Sequence, residues 1–249
     1  MKRIQKTAIV LLTAVLSLGY SSAYARLSFD IGTGVVFSGY NDVRIPNESG
    51  TDISLSEELE TDPDYFITAR LTYSSGKRHN IAIFAAPLRL RANGKVNKVV
   101  KFEGEEFPAN IPLRAVYRFD SYRLTYRYDI VHTRGFQFGL GLTAKIRDAS
   151  ILLEGGSKES EKKNTGFVPL INFRLGWMLS EKLGLLLGGD ALAAPQGRAE
   201  DVLLAIQYKI NENLSIKLGY RILEGGADVD EVYNFTLLNY IVAGPILTF

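Results

Sequence analysis

Six carboxylates are grouped late in the chain in a pattern that could do chemistry. Asp190 lies near the end of one apolar-alternating stretch. Glu200 and Asp201 follow Gln196-Gly197-Arg198-Ala199, and Glu224, Asp228 and Asp230 surround the segment Glu224-Gly225-Gly226-Ala227-Asp228. If neighbouring hairpins bring these groups to one outer surface, their oxygens suit Ca²⁺, and a pair of them suits general acid–base work. The plainer reading is a solvated rim partly neutralised by Arg198 and Arg221. It carries more weight, because Asp228-Val229-Asp230 lacks the long glycine-centred loop of an EF-hand.

Other catalytic chemistries find little support. The chain has two histidines, His79 and His132, and no cysteine. Thiolate nucleophiles, thiolate metal sites and disulfides are therefore excluded. Both histidines adjoin short links, at the end of the molecule away from the acidic segments, which argues against a Ser–His or Asp–His pair beside those carboxylates. Gly139-Leu140-Gly141 and Gly155-Gly156-Ser157-Lys158 do not match a phosphate-binding loop. No cofactor is implied, and the sequence points to a non-enzyme.

The elements that must position these groups repeat with period two. Tyr65, Ile67, Ala69, Leu71 and Tyr73 alternate with Thr68, Arg70 and Thr72. Tyr122, Leu124, Tyr126 and Tyr128 alternate with Arg123, Thr125 and Arg127, and Leu214 to Ile222 follows the same rule. Alternation over about ten residues is the length and pattern of a membrane-crossing β-strand. Short links (75–79, 132–135, 180–182, 211–213) alternate with long ones (41–64, 93–112, 153–166, 194–200, 225–230). The pattern predicts a closed antiparallel transmembrane barrel of ten strands, with eight as the alternative. The segment 118–121 reads as a turn or as the upper part of one long strand to Val131, and the long strand is preferred because it keeps the alternation. Short periplasmic turns and long extracellular loops complete the barrel.

Three features are expected in the outer connections. Ser54-Leu55-Ser56-Glu57 has the form of a capping box, which predicts a short helix over 55–60. Val99, Val100, Phe102 and Phe107 predict a hairpin about Gly104, above the membrane. The charged segment 153–166 reads as a mobile, solvated tip.

The polar face of the alternation is charged: Asp30, Arg70, Arg123, Arg127, Asp129, Lys145, Arg147, Arg174, Asp190, Lys217 and Arg221 all fall on it. In a narrow lumen such charges pair or stay wet. Packing is favoured over a narrow anion-preferring channel, and ten strands are too few for an open porin.

The N-terminus reads as an export signal. Lys2, Arg3 and Lys6 precede an apolar run from Thr7 to Gly19, and Ala23-Tyr24-Ala25 presents small residues for cleavage. Cleavage is expected after Ala25, leaving residues 26–249 as one barrel domain. Residues 1–25 hold three of the 29 basic residues and none of the 27 acidic ones. The remainder carries 26 against 27, a formal charge of −1, which gives no footprint for nucleic acid. Mean hydropathy near zero fits a barrel in which only alternate residues meet lipid.

The segments Phe119 to Tyr128, Ala144 to Ala149, Asp190 to Asp201 and Glu224 to Asp228 resemble an uncharacterised family of Gram-negative outer-membrane β-barrel proteins. The resemblance implies fold and location, and no activity. Omptins share the size class, but their catalytic acid–His pattern is not matched. The last strand, ending in Phe249, resembles the C-terminal strand through which such proteins meet the barrel-assembly machinery. The expected partners are that machinery, outer-membrane lipid and lipopolysaccharide. The expected role is a surface scaffold or binding protein acting through its outer loops, with a narrow channel or a carboxylate enzyme as alternatives.

Overall fold

The computed structural model describes residues 25–249. The expected export segment lies outside them, apart from Ala25. The elements are β1 (Arg26–Arg44), β2 (Ile53–Ser54), β3 (Asp64–Ser75), β4 (His79–Ala86), β5 (Arg89–Lys95), β6 (Val100–Phe102), β7 (Glu105–Phe107), β8 (Pro112–His132), β9 (Phe136–Gly155), β10 (Lys158–Met178), β11 (Leu183–Ala194), β12 (Gly197–Lys209), β13 (Leu214–Val229) and β14 (Val232–Thr248).

Ten of these are the staves of one antiparallel barrel: β1, β3, β4 and β8 to β14. β14 returns to pair with β1 from Ser28↔Thr248 to Arg44↔Tyr233. This seam closes the wall, so no sheet edge faces lipid along it. The segment 118–121 lies inside β8, one continuous strand, and the ring closes with ten staves, not eight. β4 and β5 share one position in the wall, both pairing with β8, with a break at Pro87-Leu88.

The outward residues form the lipid-facing band. Tyr65 is 83% exposed, Leu142 69% and Trp177 58%. Such large apolar side chains left uncovered around a whole barrel mean that lipid covers them. Outward polar groups mark the upper edge of the band. Arg118, two outward positions above Tyr122, holds Asp148, one above Ile146, at 2.9 and 3.1 Å.

The outer connections differ from expectation in three places. The segment 153–166 is not a mobile tip: β9 and β10 continue through it and turn at Gly156-Ser157, with Gly156 at φ +61°. The links 194–200 and 225–230 are likewise tight turns on extended hairpins, at 195–196 and 230–231. Backbone pairing continues above the lipid because charged side chains are tolerated on both faces there. The expected helix over 55–60 is a hydrogen-bonded turn. Glu58, rather than Glu57, reaches back to accept from Ser54 N at 2.9 Å. One helical turn is too short to stand without help, and the turn serves to bury Leu55 and Leu59.

The two remaining outer connections, 45–63 and 96–111, fold into the mouth of the barrel. β6 and β7 form the expected hairpin, with Glu103 and Gly104 both at positive φ (46° and 84°), as a tight two-residue hairpin turn requires. Ile45, Ile53, Leu55, Leu59, Val100, Phe102 and Phe107 are all buried against Val36, Leu90, Tyr117 and Leu153 of the wall. Glu103 N donates to Ile45 O at 3.0 Å and Thr51 N to Lys101 O at 2.9 Å, so the two connections lock to each other. The apolar core of this barrel is a plug in its outer mouth.

Candidate functional site: a charged layer across the lumen

Below the plug the lumen is crossed by charge. Arg123 projects inward from β8 because its parity matches Ser121 and Thr125, while Tyr122 and Leu124 face lipid. Its guanidinium spans the interior. It donates to Asp190 of β11 at 2.7 Å and to Asp201 of β12. Asp201 also accepts from Arg221 of β13 at 2.6 and 2.7 Å. Since β8 and β13 lie on opposite sides of a ten-strand ring, this chain of contacts bridges the full lumen. Asp190 is completed by Thr143 Oγ1 at 2.6 Å and Asn172 Nδ2 at 2.8 Å.

Aromatic faces fill the rest of the layer. The Arg70, Arg123 and Arg221 guanidiniums lie 4.4, 5.2 and 5.7 Å from the Phe84 ring centre, and Arg221 also lies 4.6 Å from Tyr240. Cations on ring faces and in fixed carboxylate forks leave little room for passage. Only about 80 Å³ of cavity remains at this level.

The other inward charges sit on either side of this layer. Lys217 pairs with Asp30, and Arg127 with Asp129 at 3.1 Å. Asp30, Arg127 and Asp129, with Arg70, Arg174 and His132, line a polar vestibule of about 760 Å³ that opens between the short turns at 76–77 and 133–134. Lys145 and Arg147 face the upper side. His79 bonds Tyr126 Oη at 2.9 Å near the same short-turn end as His132.

The six carboxylates read as one acidic rim are not one group. Asp190 and Asp201 lie in the lumen, where the parity of β11 and β12 directs them. Glu224 faces outward and is held by Arg198 at 2.8–3.1 Å and by Tyr40 Oη. Asp228 accepts from Asn47 Nδ2 at 2.6 Å, Asp230 offers its backbone oxygen to Asn47 N, and Glu200 is exposed. Sequence proximity misled because alternate residues of a strand face opposite sides. Among the described residues no group of three or more His, Asp or Glu is placed to hold a metal ion. The Glu224 clamp stands above the lipid band. Burial there opposes ionisation, but hydrogen bonds from Arg198 and Tyr40 outweigh it and hold the carboxyl below its ordinary range.

The neutral members of the layer, Thr143, Asn172, Phe84 and Tyr240, carry no charge to mark them in the sequence, although their strand parity points them inward.

No family model matches the sequence, and no curated protein matches it significantly. Solved structures do resemble the fold. The outer-membrane protease OmpT of Escherichia coli aligns over 90% of this chain and 97% of its own, with a TM-score of 0.59 and 11% identity. OprG of Pseudomonas aeruginosa aligns over 90% and 96%, with a TM-score of 0.40 and 12% identity. The protein is an outer-membrane β-barrel of the Gram-negative kind. At such identities the likeness concerns the fold alone.

Proposed function

We propose that the protein is a closed, non-catalytic barrel that works as a surface scaffold or binding protein through its outer hairpins. The observation that carries this reading is the double closure of the lumen: the Arg123–Asp190–Asp201–Arg221 bridge lies beneath an apolar plug. A conducting pore needs a wet path, and two successive layers oppose one. A carboxylate enzyme needs a free acid–base pair, and Asp190 and Asp201 are both engaged by arginine. The surface left to act is the tall rim of β9–β10, β11–β12 and β13–β14, in contact with outer-membrane lipid and lipopolysaccharide. The C-terminal strand ending in Phe249 serves as the assembly signal, and residues 1–25 as the cleaved export segment.

The test is planar-bilayer conductance of the refolded protein. The wild type is expected to be silent. Arg123→Ala alone is expected to remain silent, because the plug persists. Arg123→Ala combined with deletion of 98–108 is expected to give discrete steps. Stable anion-selective steps from the wild type would overturn the reading in favour of a channel.

A further inference from the structure

The barrel wall parts at two places in its outer half: beside β3, whose pairing with β4 stops at Ala69↔Ala85, and between β10 and β11. β10 pairs with β9 over its whole length, up to Lys158↔Gly155. It pairs with β11 only from Met178↔Gly184 to Ile171↔Ala191. The β11–β12 hairpin turns back after Ala194, well short of the β9–β10 hairpin, so above Ile171 the two strands part. Phe167 (68% exposed) and Ile171 (51%) flank the parting on the lipid side, and Thr165, bonded to Asp148, marks the polar edge just above. Pro169, which has no N–H to donate, stands on this unpaired edge, where proline is tolerated in a sheet. Irregular or unpaired backbone survives at membrane depth only where it lines protein or a cavity.

A cavity does lie behind the parting. It measures about 400 Å³ and is walled by Phe119, Ile151, Val168, Leu170, Leu192 and Leu223. Two cations reach it from β9. Lys145 is 4% exposed. It makes no hydrogen bond or ion pair within the described residues, and its ammonium rests 4.9 Å from the Phe119 ring. Arg147 bonds only the neutral Asn164 amide, and its Nε is buried without a partner. As successive inward residues of one strand the two stand roughly 7 Å apart. Of the other charges at the cavity, Asp190 and Asp201 are paired with Arg123, Lys162 with Glu103 and Arg198 with Glu224, while Glu200, exposed at the rim, has no ion pair among the described residues. A buried cation lacking its anion is costly.

We infer that this cavity binds a single-chain amphiphile with an anionic head group, taken from the outer leaflet through the β10–β11 parting. The chain lies against the apolar wall and the head is held by Lys145 and Arg147. The volume is at the small end of the ~300–1,000 Å³ range of ligand sites, which suits one acyl chain. The inference goes beyond the surface-binding reading and stands independently of it.

Dodecanoate and the neutral dodecanol are titrated into the refolded protein in non-ionic micelles, with native mass spectrometry as the readout. One dodecanoate per barrel is expected to bind saturably. Lys145→Met/Arg147→Met is expected to weaken it about tenfold or more, as loss of charge-assisted hydrogen bonds does, while leaving dodecanol unchanged. Leu192→Trp, which fills the cavity, is expected to abolish both. Unfolding in urea verifies that each variant is folded. Should Leu192→Trp not fold, Val168→Trp takes its place. Adventitious, non-saturable uptake, or saturable uptake that survives the filled cavity, overturns the proposal. Entry is tested in phosphatidylcholine vesicles. Because the chain has no cysteine, Ala193→Cys can be modified alone with a bulky maleimide at the lip of the parting. Slower uptake supports the lateral route, and an unchanged rate overturns it.

Discussion

The barrel is closed twice, and the two closures obey different physics. The plug of Ile45, Leu55, Leu59, Phe102 and Phe107 is held by non-directional apolar contact. The layer beneath it, Arg123, Asp190, Asp201 and Arg221, is held by directed charge contacts. The plug sits on two connections, tied to β10 through Lys158–Glu105 and Lys162–Glu103, and is expected to leave its place while the wall stays intact. The charged layer is built from the wall itself, and each of its members completes another. One closure is expected to open locally, and the other only by disturbing the barrel.

The sharpest way to break this contrast is at Asp201. Asp201→Leu strands Arg221, and its cost is expected at about 3–5 kcal/mol, as for other broken buried pairs. Asp201→Leu/Arg221→Leu leaves the Arg123–Asp190 pair whole and is expected to recover most of that loss. Urea unfolding in micelles, followed through the single tryptophan, Trp177, measures both. Equal losses in the single and double variants would mean that the layer is not held by its ion pairs.

A smaller effect on the wall is expected from the plug. Phe102→Ala removes a buried ring whose loss elsewhere costs about 3–5 kcal/mol. Here most of the cost is expected to appear as local opening. Proteolytic cleavage within 96–111 should accelerate at least tenfold while the urea midpoint of the barrel moves little. A midpoint shift as large as that of Asp201→Leu would show that plug and wall unfold as one unit.

The smallest expected effect lies outside the lumen. Glu224 in the Tyr40–Arg198 clamp titrates below its ordinary value of 4.5 in the folded state. Its contribution is therefore fully present above that value and is lost as pH falls through the lower folded value. With Arg198 half exposed, the clamp is worth about 1 kcal/mol or less. Glu224→Gln should flatten stability between pH 5 and 3 by about that amount, measured by urea titration at each pH. An unchanged slope would show that the clamp does not contribute to stability through the charge of Glu224.

Much of this architecture is legible in the chain. A period of two repeated over stretches as long as Phe136 to Arg147 specifies which residues meet lipid, because a strand sends alternate side chains to opposite faces. The same parity puts Arg123, Lys145 and Arg221 inside. Parity also separates Asp201 from Glu200, so nearness in sequence does not make the carboxylates one acidic rim. What parity does not report is height along the barrel or the partner across the lumen. That Arg123 meets Asp190 and Asp201 depends on strand order and register, which link residues 67 and 78 positions apart.

The sequence by itself determined a closed ten-strand outer-membrane barrel with charged residues inside, because lipid on one face and a narrow lumen on the other impose a local, period-two rule. Only the tertiary structure decided that two outer connections turn inward as a plug and that β10 and β11 part above Ile171. Each rests on contacts between distant segments and on the relative lengths of neighbouring hairpins, and no local pattern encodes either.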